Sequence, residues 1–280
     1  MWRKRTLLYL LLSAFCWAAF DYIRKTLTKS LSPAQLTVLF TLVALPLYIL
    51  YWVVEGAAVP VWRDYLVPAT ISGGLAALGS VQYLNALQRG DISKVIPILC
   101  VTPVISGIAG WLVLNDALTW LDWCMVVCIA VGCALMGTNS LNLRTSGFIP
   151  ACITALSWGL CIVFDKVALQ YAAISFHLVF LSVCILALNW FFLRPKLTIA
   201  QSGKLSQVFF GAGIFVGAIV FQLNALQEIH PGIVEATKRG LGVVSALGVG
   251  YWLLSEHITR KQLFLCVALV VCVCLLVIDV

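Results

Sequence analysis

Leu84-Asn85-Ala86-Leu87-Gln88 recurs letter for letter as Leu223-Asn224-Ala225-Leu226-Gln227, 139 residues further on. Upstream of each copy a tryptophan is followed eight residues later by a lysine. The pairs are Trp17 with Lys25 and Trp158 with Lys166, 141 residues apart. Both offsets are close to half of the 280-residue chain, and long apolar runs lie between the motifs. A duplicated, almost wholly hydrophobic chain is the pattern of a transporter built from two related halves.

The composition is 62% hydrophobic and 10% charged, against about 25% charged residues in soluble domains. So little charge cannot cover a water-facing surface, so the solvent expected around the chain is lipid. The start, Met1-Trp2-Arg3-Lys4-Arg5, is basic, but no clear small-x-small cleavage pattern closes the first apolar run. That segment also has a counterpart near Trp158, so it is expected to be a permanent span. Most of the eleven cysteines sit inside apolar runs, where cysteine behaves as a small hydrophobe. Cys124 with Cys128, and Cys272 with Cys274, lack histidine or carboxylate companions at ligand spacing, so no metal site is expected.

A helical span needs about 20 apolar residues. Ten segments qualify, near 6–25, 33–54, 65–88, 93–114, 119–138, 147–168, 174–193, 206–227, 232–254 and 262–279. Ser32-Pro33 caps and starts the second. Arg89-Gly90-Asp91 separates the third from the fourth, and His230-Pro231-Gly232 opens the ninth. Pro97 and Pro103 should loosen the fourth. The expected fold is an all-α integral membrane protein of ten transmembrane helices, with residues 1–140 as the first five-helix repeat and 141–280 as the second. Five spans per half is odd, so the second repeat enters the membrane inverted, which supplies the two mirror-related states of alternating access. Basic residues such as Arg24, Lys25, Lys29, Arg89 and Lys94 fall on the ends away from the amino terminus, so the positive-inside rule argues against an inside amino terminus.

The two Trp…Lys segments resemble the opening of each half of EamA-type proteins of the drug/metabolite transporter superfamily. Ala86 through Pro103 to Asn115-Asp116-Ala117-Leu118-Thr119 resembles that family's fourth span and its acidic end. Leu253-Leu254-Ser255-Glu256-His257-Ile258-Thr259 resembles the second copy of that end. The resemblance implies a central cavity walled by the first, third, fourth, sixth, eighth and ninth helices, with the fifth and tenth at the periphery. It also implies a bacterial plasma (inner) membrane location. The chain departs from the pattern with Asn115-Asp116 where Gly-Glu is usual, and with Glu235, Lys238 and Arg239 inside the ninth span.

Ionisable groups inside a span are functional hypotheses by default. Glu235 can meet Lys238 at i, i+3 and Arg239 at i, i+4, which is either a local ion pair or an anion site. Arginine is the better bidentate partner for carboxylate or phosphate. The expected substrate-binding residues are Trp17, Gln82, Asn85, Trp158, Gln222, Asn224, Lys238 and Arg239. The expected gating or coupling residues are Asp21, Lys25, Lys94, Asp165, Lys166 and Glu235, with Asp165 facing Arg239 or Lys238 in one gate and Asp21 facing Lys94 in the other. If protons are the coupling ion, Glu235 or Asp21 is the expected carrier of the proton. His177, His230 and His257 read as helix-end or packing residues.

The function expected is secondary active transport of a small polar metabolite, anionic or zwitterionic, by alternating access. A flippase for a phosphate-bearing lipid is the alternative. Catalysis is not expected, since no nucleophile motif, metal set or nucleotide loop is present. The partners expected are a small-molecule substrate, the lipid bilayer and protons, with a second copy of the chain as a homodimer partner, and neither a cofactor nor nucleic acid.

Overall fold

Ser32 and Gln35 exchange side-chain and backbone hydrogen bonds in a capping box, and Pro33 takes the first helical position. The same reciprocal cap recurs at Thr119 with Asp122 and at Thr259 with Gln262. These caps punctuate a chain whose computed structural model describes residues 2–90, 95, 98–136, 147–196, 204–254 and 259–278.

Every regular element among the described residues is helical. The helices are α1 (Trp2–Leu27), α2 (Pro33–Val54), α3 (Trp62–Arg89), α4 (Thr102–Leu114), α5 (Trp120–Met136), α6 (Phe148–Ala168), α7 (Ile174–Leu193), α8 (Leu205–Glu228), α9 (Pro231–Leu254) and α10 (Arg260–Ile278). Five of them, α1, α2, α6, α7 and α8, are long and apolar enough to cross a membrane by length and composition. α4 is shorter than the fourth span read from sequence. It begins at Thr102 with Pro103 in its first turn, after a turn at Cys100 and Val101. Proline lacks the N–H that would continue the preceding turn. Pro97 lies outside the described residues.

α4 ends on Asn115 in the left-handed conformation, φ 53°. Glycine is the usual occupant of such a cap and asparagine the next best. The departure from Gly-Glu therefore keeps the turn.

Packing follows the two halves. α3 lies along α6 as α1 lies along α8, α1 meets α9 as α6 meets α4, and α2 pairs with α7, α4 with α9 and α5 with α10. Exchanging the halves exchanges these pairs among themselves. Polarity is distributed inside out. Trp111, Leu112, Trp120, Phe191, Phe192 and Phe210 are exposed, whereas Arg24, Asp165, His177, Glu235, Lys238 and Arg239 are buried. An apolar exterior around ionisable residues suits a lipid solvent and an interior that works with charge.

Candidate functional site

The two repeated motifs do different work. The Trp…Lys spacing, eight residues at 1.5 Å each, puts lysine about 12 Å along the helix from tryptophan. The lysines cap helix ends. Lys25 Nζ donates to the carbonyls of Leu87 (2.7 Å), in the last turn of α3, and Gly90 (2.9 Å), just past its end. Lys166 Nζ donates to the Ile229 carbonyl (3.0 Å), beyond the end of α8, and pairs with Asp116 at 3.3 Å. These carbonyls have no intrahelical partner, so each lysine satisfies a group that would otherwise be orphaned. The repeated Leu-Asn-Ala-Leu-Gln belongs to the same construction: Leu84, Ala86, Leu87, Leu223, Ala225 and Leu226 are all buried.

The tryptophans point inward. Trp17 and Trp158 stand 6.4 Å apart between ring centroids in the wall of a cavity of about 910 Å³. Gly79 makes room for Trp158, since a Cβ there would lie 2.5 Å from the indole. The lining comes from α1, α2, α3, α6, α7, α8 and α9. α4 supplies none of its described residues, contrary to the wall the resemblance implied, and α2 and α7 take its share through Thr41, Tyr48, Leu181 and Ser182. α4 is instead occupied by close packing on α9, where a Cβ on Gly232 would lie 3.0 Å from the Gly107 backbone. α5 and α10 stay out of the lining and pack on each other.

Charge is concentrated on α1 and α9. Lys238 pairs with Glu235 and donates to Gln222 Oε1 at 3.2 Å. Arg239 stands 3.5 Å from Glu235, an ion pair looser than a good hydrogen bond. Arg24 pairs with Asp21 and is ringed by aromatics, its Cζ being 4.3 Å from the centre of Tyr83 and 4.4 Å from Phe20, with Trp17 and Trp158 at 5.5 and 5.6 Å. Lys238 and Arg239 face Trp17 and Trp158 at 5.2 and 5.7 Å. Three cations thus lie against one aromatic cluster, each within cation–π range. Among the described residues several buried atoms here have no hydrogen-bond partner: Arg24 Nε, Arg239 Nε and Nη2, Trp17 Nε1, Glu235 Oε2 and the hydroxyls of Tyr48 and Tyr83. Four are N–H donors, one is a carboxylate acceptor, and the hydroxyls can be either.

Trp17, Trp158, Gln222, Lys238, Arg239, Asp21, Lys25, Asp165 and Glu235 line the cavity. Gln82, Asn85 and Asn224 do not, and Asn224 turns its amide back to the Val220 carbonyl at 2.8 Å. A step of two residues turns about 200° around a helix, so Asn224 cannot share the face of Gln222. Lys166 is a helix cap outside the lining, and Lys94 lies outside the described residues. Asp165 does not meet Lys238 or Arg239 here. It accepts from Ser72 and stands 3.0 Å from His177 Nε2. Arg24 is the central residue that sequence reasoning left out of the binding set. Its signal was present as an Asp21…Arg24 pair at i, i+3 one turn before Lys25.

The segment after α4 is tied to the start of α9 through His230. Its Nε2–H donates to the Asp116 carbonyl (3.0 Å) while Nδ1 accepts from the Gly232 N–H (3.0 Å), which fixes the neutral imidazole. Burial holds this imidazole below the usual histidine range.

The profile of the EamA-like transporter family matches residues 4–138, from α1 through α5. Residues 4–138 belong to the EamA-like transporter family. The chain is thereby a membrane protein of the drug/metabolite transporter superfamily, and the family is one of transporters. A solved crystal structure with a TM-score of 0.77 and 14% identity matches 99% of this chain and 98% of its own, which shows that the helical fold runs through both halves. No curated protein sequence matches the chain.

Proposed function

We propose that this EamA-like protein is a secondary carrier of small organic anions, which occupy the cavity between Trp17, Trp158, Arg24, Lys238 and Arg239 and cross by alternating access. One observation carries the reading: the buried polar atoms without a hydrogen bond around the cavity include four N–H groups, three on arginine and one on indole, against a single carboxylate oxygen. Unpaired buried donors are costly, and a carboxylate supplies the acceptors that relieve them. The aromatic wall suits an apolar or planar body attached to that carboxylate, since ligand sites combine apolar walls with a few convergent polar groups. The helix pairing that maps onto itself when the halves are exchanged supports two repeats, residues 1–140 and 141–280, inverted with respect to each other. Rocking of one repeat on the other then alternates access. Proton coupling and a bacterial inner-membrane location complete the proposal.

A lateral route is the second reading, favoured by a specific feature. The lining includes Phe15, Tyr22 and Phe210, whose side chains are exposed, which suits an opening toward lipid. An anionic lipid could enter there.

Thermal unfolding of the purified protein against a panel of carboxylates, phosphates and anionic lipids tests both readings. A ligand at about one hundred times its dissociation constant stabilises by about 2.7 kcal/mol. Stabilisation by soluble carboxylates that Lys238→Ala and Arg239→Ala abolish is the expected result. Stabilisation by anionic lipid alone selects the lateral route, and stabilisation by cations unaffected by the variants overturns the anion reading.

A further inference from the structure

One group of buried ionisable residues is not used by the anion site. Asp165 on α6 and His177 on α7 lie 3.0 Å apart, both buried. The other imidazole nitrogen, Nδ1, is 3.0 Å from the Tyr65 hydroxyl on α3, and Ser72 donates to the Asp165 carboxylate. Cys161 stands 3.7 Å from the second carboxylate oxygen. With the imidazole proton on Nε2, that N–H donates to Asp165 and the Tyr65 hydroxyl donates to Nδ1, so every member is satisfied. A further proton placed on Nδ1 would donate to the Tyr65 oxygen, with the hydroxyl hydrogen rotating away. The chain therefore has two protonation states that share one heavy-atom arrangement. Asp165 lines the cavity, and His177 and Tyr65 stand behind it.

The repeat makes this arrangement stand out. The 141-residue offset that relates Trp17 to Trp158 and Lys25 to Lys166 relates Arg24 to Asp165 and Leu36 to His177. At the matching positions the first half has a buried guanidinium and a buried leucine in place of the carboxylate and the imidazole, while Tyr65 and Ser72 of the first half complete the cluster.

We infer that Asp165 and His177 form a proton-binding site that sets the charge of the cavity and so couples proton uptake to anion binding. This rests on the anion reading for its second ligand. Around the cavity centre Arg24, Lys238 and Arg239 face Asp21, Glu235 and Asp165, three cations against three carboxylates. Lys25 is held by helix-end carbonyls and Lys29 lies exposed at the end of α1. One proton gained by the Asp165–His177 unit leaves one positive charge in surplus, which a monocarboxylate neutralises. Proton and anion then favour each other's binding reciprocally and cross together without net charge. The other titratable groups around the unit are Tyr65 on α3, Cys161 on α6, Cys184 on α7, Tyr48 on α2 and the Glu235–Lys238 pair on α9.

The test begins without an anion. Infrared difference spectra of the protein in lipid nanodiscs, between about pH 5 and about pH 8, where histidine ordinarily changes charge, should contain carboxyl and imidazole signals. Asp165→Asn removes the first and His177→Gln the second, while Asp21→Asn and Glu235→Gln keep both. Tyr65→Phe removes one hydroxyl, keeps the ring cluster, and should shift the imidazole signal even where the other two variants fold poorly. Signals that persist in Asp165→Asn and His177→Gln, or that are unmoved in Tyr65→Phe, overturn the proposal. Benzoate is the probe for coupling. The wild-type protein should take up about one proton per benzoate bound, read with a pH-indicating dye, and Asp165→Asn should bind benzoate with none. Proton uptake unchanged in Asp165→Asn also overturns it. Failure of benzoate and every other carboxylate to bind overturns the anion reading instead, and the anion-free spectra still decide the proton site.

Discussion

Arg24 shows how much of a buried cation's environment is aromatic. Among the described residues its carboxylate partner is Asp21, and four rings surround the guanidinium. Arg24→Lys keeps the charge but replaces a flat, weakly hydrated group with a compact, strongly hydrated one. Each ring contact contributes about 0.5–1 kcal/mol, so this variant should unfold with a loss of about 1–2 kcal/mol in chemical denaturation. Unchanged stability would mean that the rings only surround the arginine. At this scale the sequence was informative wherever a residue was out of place in lipid. Lys238, Arg239 and Glu235 announced themselves by charge within a span, and Trp17 and Trp158 by recurrence. The amides did not, because Gln82, Asn85, Gln222 and Asn224 can serve any helix face and only Gln222 turns to the cavity. His177 read as a packing residue because its partners, Asp165 and Tyr65, come from helices whose adjacency the sequence does not state.

Helix ends are where the repeated lysines act. Lys166→Met leaves the Ile229 carbonyl without its donor, which should destabilise by about 1–3 kcal/mol, measurable as a lowered unfolding midpoint. Lys25→Met should behave alike at the end of α3. These lysines were expected to gate, and in this conformation each holds helix-end carbonyls. Gly79→Ala drives a Cβ into Trp158, and overpacking of this kind costs about 1–3 kcal/mol. It should also weaken stabilisation by carboxylates, whereas Gly74→Ala, where a Cβ meets nothing within 4 Å, should do neither. The His230 tie gives a pH dependence. Burial favours its neutral form in the fold, so the unfolded chain takes up the proton first and stability falls as pH drops below the ordinary value of 6.5. His230→Gln should flatten that part of a stability–pH profile. α4 illustrates what sequence leaves open about elements, since Pro103 announces a break but not that the break opens the helix at Thr102.

Over the whole molecule, duplication was readable from five identical residues and two Trp…Lys pairs, and the composition alone implied a lipid solvent. What duplication conceals is where the halves differ. Arg24 and Asp165 occupy matching positions with opposite charge, and the proposed division of labour between anion site and proton site rests on that difference. Ten helices in two inverted sets of five also require the amino and carboxy termini on one side of the membrane and the connection between α5 and α6 on the other. Protease protection of tags at those three positions should give that pattern, and a connection on the same side as both termini would contradict inversion. The central claim, a carrier whose buried cations hold an organic anion, is tested most directly by uptake of radiolabelled benzoate into proteoliposomes under an inward proton gradient. Saturable uptake that Arg239→Ala abolishes and that collapse of the gradient slows is the expected result. Uptake that Arg239→Ala leaves intact, or saturable movement of organic cations in place of carboxylates, would contradict it.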